Sequence, residues 1–192
     1  RRRVGELSLP ALLPGALVGL HYGIQLSRPR WGFRSDVGGN RTRWIIGGMI
    51  ALALGGVGAT YAVTLFAVHY WLALTASIMS YGLIGIGVGA SGTSLLALLA
   101  TATAAHRRAA AATITWLMMI FGIALTAGVA GQFLDPYSPE RLMTVVITIA
   151  LLAILLTVLA IWNIERSVSP RASEPDIPFQ EALREGWAES EP

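Results

Sequence analysis

The chain has 192 residues, 54% of them hydrophobic and 13% charged, with a formal net charge of +3 and a mean hydropathy of +0.61. That is too apolar for a water-soluble domain of ordinary composition. With no cysteine there is no disulfide scaffold, thiolate metal site or cysteine nucleophile, and the arginines gather in a few loops rather than on a basic face with interleaved aromatics, which argues against nucleic acid as a partner.

Five apolar runs follow along the chain. The first, Leu9 to Ser27, carries His21, Tyr22 and Gln25 in otherwise greasy sequence. The second covers Trp44 to Val68, the third Trp71 to Leu99, the fourth Ala109 to Gly131 and the fifth Leu142 to Trp162. Each meets the requirement of about 20 apolar residues for crossing a bilayer, and the third exceeds it, which implies tilt or an extension beyond the hydrocarbon. The expected fold class is therefore all-α: a polytopic membrane helix bundle over residues 1–166, with membrane lipid as its first partner.

Basic residues set the orientation. The link from Arg28 to Arg43 holds five Arg and one Asp, and the link around His106 holds Arg107 and Arg108. The opposite links, Phe66 to Tyr70 and Gln132 to Arg141, carry almost no net positive charge. Five crossings then put the start of the chain outside and its end in the cytoplasm. Arg1, Arg2 and Arg3 break this rule, and an upstream helix would relieve it. With a first residue other than Met, the expectation is a piece of a larger protein.

Small residues recur inside the runs. Gly82, Gly85 and Gly89 form a four-residue ladder in the third, and further glycines (Gly47, Gly48, Gly55, Gly56, Gly58) sit in the second. Such spacing allows close helix packing. Beyond Trp162 the composition turns polar and acidic. Within residues 167–192, "DIPFQEALREGW" reads as a short amphipathic cytoplasmic helix, with Phe179, Leu183 and Trp187 on one face. It either lies against the bundle or membrane surface or docks a partner.

The stretch "GFRSDVGGNRTRW" places Gly32, Asp36 and Gly39 in the spacing G-x-x-x-D-x-x-G, with Arg41 and Arg43 behind. It resembles the cytoplasmic loop signature of the major facilitator superfamily, with Asn40 where that pattern carries a basic residue. "HRRAAAAT" resembles the next cytoplasmic link, and the resemblance makes Arg107 or Arg108 the partner of Asp36. More narrowly, "LVGLHYGIQLSRPRWGFRSDVGGNRTRWIIGGM", "GVGASGTSLLALLAT", "RRAAAATITWLMMIFGIALTAGVAGQFLDPYSPERL" and "PFQEALREGW" resemble the PucC-like family, a branch of that superfamily. The resemblance implies a partial N-terminal half of a major-facilitator fold, covering helices two to six, with the C-terminal half of the same protein as a partner. It further implies a multi-pass protein of the bacterial inner, intracytoplasmic membrane. Its cofactor would be bacteriochlorophyll, and its partners light-harvesting or pigment-synthesis proteins.

Residues able to carry chemistry are few. There is no carboxylate pair within the helices, no nucleophile beside a base, no metal-ligand cluster and no Asp-rich magnesium motif of the kind a prenyl diphosphate site uses. The expectation is a non-catalytic protein, despite a bacteriochlorophyll synthase label in use within the family. Polar groups in the membrane mark function, which singles out His21 and Gln25, one helical turn apart, and Tyr22. A neutral histidine nitrogen could ligate the central magnesium of a bacteriochlorophyll, while Tyr22 or Gln25 bonds a ring carbonyl; alternatively His21 bonds a neighbouring helix. Trp116, Met118, Met119 and Phe121 could line a cavity for a flat pigment or pack against lipid. Two other classes stay open: a proton-coupled transporter of a small solute, with His21 as its titratable group, and a structural subunit of a photosynthetic complex.

Overall fold

A computed structural model describes residues 12–26, 28–29, 41–162 and 164. Among them the chain forms only helices: α1 (Leu12–Gln25), α2 (Arg41–Leu65), α3 (Tyr70–Ala102), a single 3₁₀ turn (Ala105–Arg107), α4 (Arg108–Phe133) and α5 (Pro139–Ile161). The amphipathic segment of residues 167–192, and Gly32, Asp36 and Gly39 of the loop motif, lie outside the described residues.

Helices α2, α3, α4 and α5 are long and apolar enough to cross a membrane. The 14 residues of α1 rise about 21 Å, at 1.5 Å per residue, short of the ~30 Å hydrocarbon core. Those four are the helices of spanning length among the described residues, and the first apolar run, Leu9 to Ser27, lies only partly within them. The 33 residues of α3 rise about 50 Å and must tilt or project beyond the hydrocarbon.

The ends follow local chemistry. Ser138 caps α5, its hydroxyl accepting from the Arg141 amide at 3.1 Å, with a proline at the start of the helix and Glu140 in the first turn, where the helix dipole favours a negative charge. The turn between α2 and α3 closes on one carbonyl, that of Leu65, which accepts from Val68 at 3.0 Å and from His69 at 2.8 Å. Several hydroxyls inside the helices are satisfied by their own backbone, Thr60 on Gly56, Ser77 on Ala73 and Ser91 on Gly87, whereas that of Ser94 is buried with no partner among the described residues. Such backbone bonds are how polar side chains are tolerated where no water reaches.

Helices α2 and α3 are antiparallel and form the tightest pair. A Cβ on Gly48 would lie 2.6 Å from the Ser91 amide nitrogen, and one on Gly87 would lie 2.6 Å from the Gly48 carbonyl oxygen. A Cβ on Gly55 would lie 2.8 Å from the Ser80 carbonyl oxygen. Backbone touches backbone along this seam because the side chains at the crossing are absent or small. Helix α1 packs on α3 elsewhere: a Cβ on Gly85 would meet the His21 carbonyl oxygen at 3.0 Å and Ile24 Cβ at 3.1 Å, and one on Gly82 would touch Ile24 Cδ1 at 3.7 Å. Gly89 is buried in the same helix. Near the start of α2, Ile45, Leu98 and Ile161 bring α2, α3 and α5 together in a small apolar core.

Most large apolar side chains point outward. Met118 is 69% exposed and Phe121 67%, and no residue of α4 is buried. An apolar surface on every side cannot face water, so the chain is an all-α, multi-pass membrane protein. The basic side chains Arg41, Arg43, Arg107 and Arg108 all lie at one end of the bundle, where α2 and α4 begin and α3 ends. The other end carries Phe66, Tyr70 and Trp71 in edge-to-face contact, at 5.7 and 5.5 Å between ring centroids. Aromatic rings of this kind settle at a membrane–water interface.

Candidate functional site

Helical periodicity builds a polar line on α1. His21 and Gln25 are four residues apart and share a face, and Arg28 lies three residues beyond Gln25. The Gln25 Nε2 and His21 Nε2 atoms are 2.6 Å apart. Arg28 Nη2 donates to Gln25 Oε1. His21 also meets the Tyr22 ring edge-to-face, with centroids 5.1 Å apart. The Nδ1 atom of His21 is buried and has no hydrogen-bond partner among the described residues. Gln25 and His21 are half-buried, whereas Tyr22 is 64% exposed. The backbone under this line rests on α3 at Gly85.

Of the residues singled out by sequence, His21 and Gln25 are in direct contact, and Tyr22 touches His21 through its ring alone. Arg28 joins them and was counted in the sequence only as a topology charge; its i+3 spacing from Gln25 is the signal that could have found it. The bulky residues of α4 do not enclose a cavity: Trp116, Met118, Met119 and Phe121 are all exposed. A groove of about 510 Å³ lies instead between α4 and α5, lined by Leu125, Val129, Phe133, Thr148, Ile149 and Leu152.

At the basic end, Arg41 Nη1 donates to Thr101 Oγ1 at 2.8 Å and to the Ala97 carbonyl at 3.5 Å. A cation placed over the last two turns of α3 complements that helix end. Arg107 and Arg108 are exposed at the start of α4. Any pairing of theirs with Asp36 lies outside the described residues.

The model of the family described as PUCC protein matches residues 1–191. The chain belongs to the PUCC protein family. It is 60% identical over 190 residues to the "Bacteriochlorophyll synthase 44.5 kDa chain" of Rhodobacter capsulatus, a match covering 98% of this chain and 44% of that one. It is 26% identical over 204 residues to "Protein PucC" of Rhodobacter capsulatus, covering 97% of this chain and 43% of the relative. The chain thus spans less than half the length of the curated relatives it matches. No solved structure matches it.

These relatives correct one expectation. The sequence was read as non-catalytic, yet a relative 60% identical along nearly all of the chain bears the name of a synthase. The reading failed because it rested on motifs missing from a stretch that spans less than half of such a protein. An absent carboxylate pair here says nothing about residues the relatives carry elsewhere.

Proposed function

We propose that this chain is part of a membrane protein of a phototrophic bacterium that binds bacteriochlorophyll, or a precursor of it, and serves the assembly of light-harvesting complexes. The location that goes with this function is the inner, intracytoplasmic membrane. Membership of the PUCC protein family and the bacteriochlorophyll named in the 60%-identical relative supply the pigment. The observation that carries the reading is the His21–Gln25–Arg28 line on α1. Polar side chains are costly in a membrane and are kept there for function. A half-buried imidazole whose Nε2 is held only by a neighbouring amide, which can yield it, is a fitting ligand for such a pigment.

His21 would hold the central magnesium, which when bound supplies a Lewis acid for the imidazole to ligate. Tyr22, exposed beside it, offers a hydroxyl to a ring carbonyl. The outward apolar faces and the groove between α4 and α5 suit hydrocarbon. Pigment binding is common to a carrier and to a chain of a synthase, so the proposal is placed at the binding step.

Removing the full-length protein from a phototroph tests it. The expected result is normal synthesis of light-harvesting apoproteins with a marked fall in assembled, pigmented complexes. Unchanged complex levels would contradict the proposal. A transporter has less support, since His21 is the one titratable side chain within the described apolar spans that sequence favours for proton coupling.

A further inference from the structure

Resting on that reading, we infer that Gln25 and Arg28 are positioning residues that fix the tautomer of His21 and compete with the pigment for its Nε2 lone pair. Arginine can only donate hydrogen bonds. Its contact with Gln25 therefore identifies the atom it meets as the amide oxygen, Oε1. The amide NH₂ must then face His21, whose Nε2 lies 2.6 Å away. An NH₂ group donates, so Nε2 accepts, and the ring proton sits on Nδ1. Three side chains on one helix thus choose one of two imidazole tautomers, and the choice begins with a charge at the exposed end of the line.

This choice has two consequences. Nε2 is left as the basic nitrogen, ready to ligate a Lewis acid without first losing a proton. It is also already occupied. In the membrane a bare imidazole lone pair is costly, and Gln25 satisfies it while no pigment is present. Magnesium and the Gln25 amide need the same lone pair, so ligation requires Gln25 to swing away. Arg28, three residues on and exposed, holds the amide in place from the water side. The line therefore acts as a latch, and Gln25 opposes ligation rather than adding a contact to the pigment.

The sign of one substitution separates these roles. Gln25→Leu keeps helix propensity and bulk but removes the donor. It should tighten binding of magnesium bacteriochlorophyll to the purified full-length protein about 2- to 10-fold, the range a net hydrogen bond of ordinary strength spans. Arg28→Ala should move affinity the same way by less, and Arg28→Lys, which keeps a donor, should restore the wild-type value. The magnesium-free pigment should show none of these shifts. In parallel, ¹⁵N NMR of histidine-labelled full-length protein in lipid nanodiscs, with His21 assigned by a His21→Asn difference spectrum, should show the Nδ1–H tautomer. Gln25→Leu should erase that bias.

An Nε2–H tautomer in the wild type, or weaker binding in Gln25→Leu, overturns the latch. If the tautomer is as stated and the wild type binds the magnesium-free pigment equally well, pigment binding survives and the latch fails. If the tautomer is as stated and neither pigment binds any variant, the pigment reading fails and the competition falls with it.

Discussion

A methyl group on Gly87 should force α2 and α3 apart. Its Cβ would lie 2.6 Å from both the Gly48 carbonyl oxygen and the Leu52 amide nitrogen, and 3.0 Å from Leu52 Cα. All three are backbone atoms and cannot rotate away. Ordinary contact begins at 3.4 Å, so the helices must separate by 0.8 Å (3.4 minus 2.6) at the crossing. Overpacking of this kind costs about 1–3 kcal/mol. Alanine also gains ~1 kcal/mol in helix propensity over glycine, which hides part of the cost. Gly56→Ala is the control, since nothing lies within 4 Å of its Cβ position. The difference between the two variants removes the shared propensity gain and leaves the clash. Reversible unfolding of the full-length protein in mixed detergent micelles measures it. Gly87→Ala should be less stable than Gly56→Ala by about 1–3 kcal/mol. Equal stabilities would refute the backbone contact between α2 and α3.

Two further outcomes follow from the basic end and the orientation. Arg41→Ala should lower stability by about 1 kcal/mol, because Thr101 Oγ1 and the Ala97 carbonyl lose a charged donor at a half-buried site. Arg41→Lys should recover part of this in the same unfolding assay, and a neutral Arg41→Ala would mean that the guanidinium does not hold α3. In a cysteine-free full-length background, Val68→Cys should react with a membrane-impermeant maleimide added to intact spheroplasts, and His106→Cys only after lysis. The opposite pattern would invert the orientation drawn from the arginines.

The helices were legible because a bilayer imposes one demand on every span: apolar length with internally satisfied backbone. Their packing was less so. The ladder of Gly82, Gly85 and Gly89 drew attention by its even spacing, yet the closest backbone approach is between Gly48 and Gly87, on a different face of α3 from the Gly85 contact with α1. A glycine pattern says that close approach is possible; it does not say which neighbour approaches. The site shows the same division. His21 and Gln25 stood out as polar residues one turn apart, but the direction of their hydrogen bond depends on Arg28, which in sequence reads only as a loop charge. Trp116, Met118 and Phe121 suggested a cavity through their chemistry, and α4 turns them outward because no described helix covers it. Non-catalytic character was drawn from missing motifs, and the relatives contradicted it.

Pigment binding at His21 is the central claim, and a visible to near-infrared absorption spectrum tests it most directly. The full-length protein would be purified mildly from a phototrophic membrane beside its His21→Ala variant. The prediction is a near-stoichiometric bacteriochlorophyll band in the wild type that shifts or disappears in the variant. A folded wild-type protein without pigment, or a band unchanged by the substitution, would contradict it.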